Sequence, residues 1–335
     1  MQAYQISQFG LEHLQPVQLP DPEPGPGEVL VRVRAASLNY RDLMMVRGHY
    51  DPKLQMPRIP LSDGAGEVAA IGSGVTHLRV GDRVAGLFAP NWQDGAPSSQ
   101  KIRGALGGDI DGVLAEYVVF PEHGVIPFPA HLSYEEASTL PCAALTAWNA
   151  LFVAASVKAG DTVVIQGTGG VSIFALQLAK LAGARVLGTS SSDEKLSRAK
   201  NLGLDEGLNY KQRPDWANWV KENTDGEGAD VIIEVGGSGT LSESIKAVRM
   251  GGTIAQIGVL SGVEEKLSVI PILMRQIHIV GIHVGSGAMF AEMNRAIDIH
   301  RLKPEVCKVF PIKGTIEAYR YLESSQHVGK VVITV

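Results

Sequence analysis

A glycine-dense corner between an apolar run and an amphipathic stretch is the feature that most constrains the fold of this chain. Residues 162–180 read TVVIQGTGGVSIFALQLAK. Glycine adopts backbone angles closed to other residues, and its missing side chain lets main-chain N–H groups approach a pyrophosphate at the positive end of the following helix. We therefore predict that Gly167, Thr168, Gly169, Gly170 and Val171 bind the phosphates of a dinucleotide. The alternative is a tight strand-to-helix turn with no ligand.

Ser172 stands where a third glycine is usual for close packing of the helix against the strand. A small hydroxyl side chain can still fit there, with the helix displaced slightly outward. We expect the phosphate site to tolerate the serine.

The sequence pattern changes along the chain. Residues up to about 123 form short β-rich runs separated by turn residues, such as EVLVRVRAAS and VLAEYVVF. From about residue 140, apolar strands alternate with helical segments, which predicts βαβ units and a doubly wound parallel sheet. The predicted fold is α/β, with a β-rich domain over 1–124 completed by 286–335 and a dinucleotide-binding domain over 125–285.

The end of the second predicted strand indicates which dinucleotide binds. An NAD site usually has an acidic residue there for the ribose hydroxyls. This chain has Ser190 and Ser191, with Lys195 one helical turn further on, a set suited to the 2′-phosphate of NADP. The alternative is that Ser191 and Glu194 form a capping box and that Lys195 lies on a solvated face. Asp193, the one residue that would favour NAD, lies too far into the helix.

Composition excludes several classes of function. The net charge is −5 and charged residues make up 19% of the 335 residues, so the chain offers no basic surface for nucleic acid. No apolar run approaches the roughly 20 residues of a membrane helix, and the first residues lack a basic start followed by an apolar run. We expect a cytoplasmic protein. Its two cysteines, Cys142 and Cys307, provide neither a disulfide framework nor a four-thiolate zinc site.

The order of these motifs resembles the medium-chain dehydrogenase/reductase superfamily over essentially the whole chain. The matching pieces are GDRV, LPCAALTAWNAL, the glycine corner, GGTIAQIG and the final GKVVITV. The resemblance implies a GroES-like catalytic domain, a Rossmann domain, and an active site in the cleft between them. It also implies that Gly258 and Leu260 lie near the nicotinamide, and that a homodimer forms through the strand HIVGIHV.

Departures from the zinc-dependent members concern the metal ligands. Those enzymes have a cysteine in the segment corresponding to SLNYRD and a His-Glu pair in the segment corresponding to LSDGAGEV, where this chain has Asn39 and then Ser62 with Asp63. Cys142 matches the third ligand position, but one thiolate with an aspartate does not make the three-ligand site of a catalytic zinc. We expect no zinc. Cys142 is then a small buried residue.

The zinc-free branch that this chain resembles contains NADPH-dependent quinone and enone reductases. Its Asn-x-x-Asp motif and the following Arg-Gly-x-Tyr appear here as Asn39, Asp42 and residues 47–50. Tyr210 matches a tyrosine beside the 2′-phosphate in that branch, or is an ordinary aromatic at a strand end. The expected substrate is a small carbonyl, enone or quinone, and the predicted catalytic residues are Asn39, Tyr40 and Tyr50. Asn39 is alternatively a turn amide bonded to the backbone.

Overall fold

The structure, a computed structural model, describes residues 1–335. The strands are β1 Gln2–Ile6, β2 Leu14–Gln18, β3 Glu28–Leu38, β4 Asp63–Ile71, β5 Arg83–Gly86, β6 Tyr117–Pro121, β7 Val125–Pro127, β8 Thr162–Gln166, β9 Arg185–Ser190, β10 Glu206–Asn209, β11 Ala229–Glu234, β12 Val248–Gln256, β13 His278–Gly281, β14 Val306–Pro311 and β15 Lys330–Thr334. The α-helices are α1 Tyr40–Val46, α2 Ser99–Ile102, α3 Tyr134–Ala137, α4 Leu145–Trp148, α5 Gly170–Leu181, α6 Asp193–Asn201, α7 Trp216–Glu222, α8 Leu241–Ala247, α9 Ile270–Met274, α10 Gly287–His300 and α11 Thr315–Glu323. Helical turns Leu140–Ala144 and Asn149–Ala154 flank α4, and short 3-10 turns cover Leu11–His13, Glu122–Gly124 and Ile312–Gly314. No helix is long and apolar enough to cross a membrane.

The chain divides into two compact units, and the first is discontinuous. It comprises Met1–Leu145 and Gly285–Val335, and the second comprises Thr146–Val284. Residues 125–145, which the sequence analysis placed in the second domain, pack with the first. The reason is that β7 pairs antiparallel with β5 and so extends the sheet of the first unit.

The first unit is built on a seven-stranded sheet in the order β14-β15-β3-β4-β5-β7, with β6 also paired to β3. Only β14 and β15 are parallel to each other; the other pairs are antiparallel. Strand β3 alternates buried and outward residues from Val29 to Val33, as expected for a strand with one face on a core. From Ala35 to Leu38 every residue of β3 is buried, so its C-terminal end lies deep in the unit.

The second unit contains a six-stranded, all-parallel sheet in the order β10-β9-β8-β11-β12-β13. Numbered from β8, this is the 3-2-1-4-5-6 order of a Rossmann fold, and the strand order reverses between β8 and β11. Val163, Val164 and Ile165 of β8 are almost fully buried, as expected for a central strand covered on both faces. The predicted fold class, a GroES-like β-rich domain with a doubly wound Rossmann domain, is confirmed.

Candidate functional site

The glycine corner follows β8 at the carboxyl edge of the Rossmann sheet. Gly167 has φ of +67°, in the left-handed region that favours glycine, and its N–H donates to the Thr189 carbonyl at 2.7 Å. Gly169 caps α5 and Gly170 begins it. A Cβ added at Gly167 or Gly169 would meet no atom within 4 Å. The space above these glycines is therefore open for a ligand rather than filled by packing.

Ser172 fits the position of the third glycine by bonding back to the strand. Its side chain is 2% exposed, and its hydroxyl donates to the carbonyl of Gln166 at 2.7 Å. The hydrogen bond satisfies both a buried hydroxyl and the last carbonyl of β8. The serine thus fastens α5 to β8, which explains how the corner keeps its shape without the glycine.

A buried carboxylate organises the loop after β11, next to the glycine corner. Glu234 is fully buried, and its Oε1 accepts from the N–H groups of Gly236 at 2.8 Å and Gly237 at 2.9 Å and from the Thr240 hydroxyl at 2.6 Å. Its Oε2 accepts from Gln166 Nε2 at 2.7 Å and from the Ser244 hydroxyl. Five donors around one carboxylate fix this loop at the point where the strand order reverses.

The loop after β12 is held against the same segment. Gly258 N–H donates to the Glu234 carbonyl, and a Cβ on Gly258 would lie 2.2 Å from the Val235 oxygen. Gly258 is therefore required by the close approach of two backbones, which is a packing reason independent of any cofactor. Leu260 is 51% exposed on this loop. Their predicted places beside the nicotinamide stay predictions.

Two lysines converge where β9 and β10 end. Tyr210 follows β10, is 41% exposed, and its N–H donates to the Ser190 carbonyl at 3.0 Å. Partial burial, and then the neighbouring Lys211 charge, lower the pKa of Lys195. The structure thus brings Ser190, Lys195 and Tyr210 to one strand end, and adds Lys211, which the sequence analysis missed. A bound anion would relieve the repulsion between the two ammonium groups.

The start of α6 differs from the capping box considered above. Ser192, not Ser191, caps the helix by accepting from the Lys195 N–H at 3.4 Å. The predicted Ser191–Glu194 capping box is wrong, because β9 ends at Ser190 and the helix begins only at Asp193, which leaves Ser191 in the connection. The Asp193 carboxylate accepts from Asn209 at 3.0 Å and from Gln212 at 2.8 Å. The acidic residue that would favour NAD is therefore already engaged.

The first unit contains a buried polar cluster around the end of β3. Lys330 is 3% exposed, and its Nζ donates to the Leu38 carbonyl at 2.7 Å and to Asn39 Oδ1 at 2.5 Å. The same Nζ lies 4.0 Å from Asp63 Oδ2. Asp63 accepts from the Ser62 hydroxyl at 2.7 Å and from the Cys142 N–H at 3.2 Å. Asn39, Asp63 and Cys142, the three positions compared with zinc ligands, thus meet around an ammonium group.

Burial dominates the titration of this cluster. It raises the pKa of Asp63, against the opposing charge of Lys330, and raises the pKa of Asp42 to about 6, against the Arg41 guanidinium. Burial, followed by the Asp63 charge, also raises the pKa of the Cys142 thiol. The thiol form of Cys142 is therefore favoured.

Asp42 and Asp63 pair with different cations. Asp42 lies 3.4 Å from Arg41 and accepts from the Asn39 N–H at 2.8 Å. Asp63 pairs with Lys330 instead of an arginine, because β15 brings the lysine to the end of β3. Arg47 pairs with Glu323 of α11 and takes no part in the cluster.

The three predicted catalytic residues differ in access. Tyr40, the first residue of α1, is 44% exposed, and Tyr50 is 47% exposed with the Arg41 guanidinium 5.3 Å from its ring centre. The Asn39 amide is buried: its Oδ1 accepts from Lys330, and its interaction with Asp63 opposes the rise in the pKa of that carboxyl. The tyrosines can therefore reach a small molecule, whereas the Asn39 amide is directed into the protein.

The second unit fits a dinucleotide, and the first does not fit a catalytic zinc. The open glycine corner and the paired lysines suit phosphates. No three His, Cys, Asp or Glu side chains come together in an arrangement that could hold a metal ion. A catalytic zinc requires three such ligands.

Comparison with known families agrees with both units. The alcohol dehydrogenase GroES-like domain matches residues 25–130, and the zinc-binding dehydrogenase domain matches residues 170–299. A zinc-type alcohol dehydrogenase-like protein of Schizosaccharomyces pombe is 46% identical over 97% of this chain and 96% of its own length. An alcohol dehydrogenase of Geobacillus stearothermophilus is 32% identical over all of both chains. A quinone oxidoreductase of Rattus norvegicus is 26% identical over 99% of this chain and 97% of its own length.

Solved structures resemble the whole chain. A putative alcohol dehydrogenase from Sinorhizobium meliloti has a TM-score of 0.94 and 42% identity, covering all of this chain and 98% of that one. An NAD-dependent alcohol dehydrogenase has a TM-score of 0.92 and 39% identity over all of both chains. A 2-octenoyl-CoA carboxylase reductase, in complex with NADP and 2-octenoyl-CoA, has a TM-score of 0.90 and 27% identity, covering 99% of this chain and 87% of that one.

Fold, site and relatives define one class of protein. The chain belongs to the medium-chain dehydrogenase/reductase superfamily. It is an NAD(P)-dependent oxidoreductase, and its relatives include both alcohol dehydrogenases and a quinone oxidoreductase.

Several site residues could have been found from one sequence pattern, a polar residue at the end of a strongly apolar strand. Gln166 and Glu234 each end a strongly apolar strand, TVVIQ and ADVIIE. Polar residues at adjacent strand ends are buried together when the strands pair, as β8 and β11 do. Lys330 begins the apolar strand KVVIT in the same way.

Proposed function

We propose that the protein is an NADPH-dependent reductase that transfers hydride to a quinone, an enone or a related carbonyl compound without a catalytic metal. The observation that carries the proposal is the Lys330 ammonium among Asn39, Asp63 and Cys142. A divalent cation added beside that ammonium would be repelled, and only one thiol and one carboxyl are available to bind it. Hydrogen-bond donors must then stabilise the charge that develops on the acceptor oxygen.

The chain's own residues have distinct roles in this proposal. NADPH, when bound, supplies the hydride. Tyr40 and Tyr50 are exposed residues, and their hydroxyl groups are the donors to the acceptor oxygen. Asn39 supports Tyr40, because its backbone N–H and side-chain oxygen fix the start of α1. The glycine corner from Gly167 to Val171 holds the pyrophosphate.

Selectivity for NADPH is assigned to the end of β9. Ser190, Ser191, Lys195, Lys211 and Tyr210 together offer hydroxyls and two cations to a 2′-phosphate. Electrostatic complementarity supports this assignment, since partial burial and the Lys211 charge already lower the pKa of Lys195, and the Asp193 carboxylate is engaged by Asn209 and Gln212.

The cofactor assignment is tested by titrating NADPH and NADH onto Lys195→Ala, Lys211→Ala and the control Lys200→Ala. Lys200 lies on the exposed face of the same helix. We expect Kd for NADPH to rise at least about tenfold in the first two variants, with Kd for NADH changed less than about twofold. An equal loss for both nucleotides would contradict the assignment.

Turnover is tested with NADPH and a panel of quinones, enones and aldehydes. NADPH oxidation above the no-enzyme rate with an enone or quinone supports the proposal. Oxidation that never exceeds the control, although NADPH binds, would favour a nucleotide-binding protein with little catalysis.

An alcohol dehydrogenase reaction, zinc-free or with zinc held weakly by Cys142 and Asp63, is the second candidate. Most of the relatives described above are named as alcohol dehydrogenases. Elemental analysis of protein purified without added metal distinguishes a zinc-dependent reaction from the metal-free one. About one zinc per chain, together with loss of turnover on chelation, would refute the metal-free mechanism.

We also propose a homodimer formed through the edge of the second unit. Strand β13 pairs on one side only, with β12, and the nearby α9 exposes Ile270, Leu273 and Met274 by 67–76%. An unpaired edge beside an apolar surface is favourable for pairing with a second copy. Light scattering should give a dimer for the native chain and a monomer for Leu273→Glu, and a native monomer at micromolar concentration would contradict the proposal.

The compartment of the protein is proposed to be the cytoplasm. Neither Cys142 nor Cys307 forms a disulfide, as is usual in a reducing compartment. Fractionation of cells that produce the protein at native levels tests this, and recovery with exported or membrane fractions would contradict it.

A further inference from the structure

Lys330 holds the segment before Tyr40 through two hydrogen bonds, and Asp42 adds a third. Its Nζ donates to the Leu38 carbonyl and to Asn39 Oδ1, and the Asn39 N–H is held by Asp42. The Leu38–Asn39 peptide is therefore fixed at its carbonyl and at its N–H, and the Asn39 side chain is fixed as well. Tyr40 is the next residue in the chain and is the exposed donor assigned above.

The backbone around Lys330 is fixed, and this sets the direction of its side chain. Gly329 has φ of +81°, and a Cβ there would lie 2.2 Å from the Glu305 oxygen. The Lys330 N–H donates to that same oxygen at 2.9 Å. The following residue, Val331, pairs with Leu38 in the sheet. The Gly-Lys pair thus directs a buried cation toward the end of β3.

The cluster is balanced in charge. Lys330 and Arg41 are the cations, and Asp42 and Asp63 are the anions. A lysine in a buried cluster can have a role that is only electrostatic, namely to neutralise Asp63. The hydrogen bond to Asn39 Oδ1 adds a second role: it fixes the amide orientation, because turning the amide would place its NH2 group against the ammonium.

We infer that Lys330 is a positioning residue that holds the Asn39–Tyr40 corner for reduction of the acceptor, beyond its neutralisation of Asp63. The inference rests on the proposed function for the role of Tyr40. Lys330 contacts neither the acceptor nor the cofactor in this assignment. It acts through the Leu38–Asn39 peptide and the Asn39 side chain.

A charge-neutral pair of substitutions separates the two roles. Lys330→Met leaves Asp63 without its counter-ion, and we expect a lowered melting midpoint. Lys330→Met with Asp63→Asn restores the charge balance and should recover most of that midpoint. Lys313→Met, on an exposed turn, is the matched control.

The decisive measurements on the double variant are amide hydrogen exchange over residues 38–46 and steady-state kinetics. If Lys330 is a positioning residue, exchange in this segment stays faster than in the native chain, and kcat stays at least about tenfold lower with KM for NADPH unchanged. Recovery of both native exchange and native kcat would overturn the inference, since charge balance would then be sufficient.

Asn39→Ala provides a second test if the double variant does not fold. It removes the acceptor for Lys330 but keeps all four charges, so it must also accelerate exchange over residues 38–46, and native exchange in this variant would overturn the inference. Exchange does not depend on turnover. A native enzyme inactive with every acceptor would refute the proposed function, while the exchange data would still decide the role of Lys330.

Discussion

The Glu234 network should determine the stability of the second unit, and Glu234→Gln tests it. Hydrogen bonds to a charged group contribute about 1.5–3 kcal/mol each, compared with about 1 kcal/mol for neutral pairs. Glutamine keeps an oxygen for three of the five donors, with weaker bonds. Its NH2 group would face Gln166 Nε2 and the Ser244 hydroxyl, which both donate to Glu234 in the native chain.

The cost depends on whether these two donors can turn. The Ser244 hydroxyl can rotate and accept. Gln166 cannot turn its amide freely, because its Oε1 accepts from the Val235 and Gly236 N–H groups at 3.3 Å. One buried donor is left unpaired, which costs about 1–3 kcal/mol. Removing a buried charge offsets part of this, and we expect a net loss of about 2–3 kcal/mol of unfolding free energy.

Urea unfolding followed by tryptophan fluorescence measures this loss. Trp148, Trp216 and Trp219 lie in the second unit and only Trp92 in the first, so the signal reports mainly the affected unit. Glu243→Gln is the control, because that residue forms a surface pair with Lys246 and should change stability by less than about 1 kcal/mol. A Glu234→Gln variant within about 0.5 kcal/mol of the native chain would refute the reasoning.

Three further outcomes are expected. Burial raises the pKa of Asp42 from 3.8 to about 6. Ionising Asp42 therefore costs the native fold free energy that is absent below pH 4, grows between pH 4 and about pH 6, and reaches about 3 kcal/mol at higher pH. The unfolding free energy of Asp42→Asn should exceed that of the native chain by up to this amount between pH 4 and 7, and parallel pH profiles of the two proteins would contradict the prediction. Gly169→Ala should weaken dinucleotide binding and leave the melting midpoint unchanged. Gly258→Ala should lower the melting midpoint, because its Cβ would lie 2.2 Å from the Val235 oxygen. A lower midpoint in calorimetry for Gly169→Ala than for Gly258→Ala would show that the two glycines have been assigned the wrong roles. Ser172→Ala should cost about 1–2 kcal/mol, since it leaves a buried carbonyl without its donor, and an unchanged denaturation midpoint would show that the carbonyl finds another partner.

Much of the fold follows from patterns that the sequence displays locally. The glycine corner, the apolar strands and their alternation with helices predicted the Rossmann sheet, because each of these signals lies within one βαβ unit. The position of β7 was not predictable in this way. Val125–Pro127 is too short to show a period, and its membership of the first unit depends on pairing with β5, which lies some forty residues earlier in the chain.

The candidate site was predictable where its residues are neighbours in sequence. Sequence patterns identified residues 167–171 and the pair of Ser190 and Lys195, because the members of each group are only a few residues apart in the chain. Lys330 and Lys211 were not found, since their roles depend on partners that only folding brings near: Lys330 contacts Asn39 across 291 residues. The role of Asn39 as a donor to the substrate stays a prediction, and the commitment of its oxygen to Lys330 was not predictable because that contact depends on folding.

The discontinuous first unit has a consequence for how the chain folds during synthesis. The buried Ser37 hydroxyl donates to the Val331 carbonyl, 294 residues further along, so the last strands of that sheet are made after nearly everything else. The contiguous second unit has all its strands earlier and can mature on the ribosome. The edge of β3 that later receives β15 stays unpaired until then, so the nascent first unit exposes an open sheet edge during synthesis.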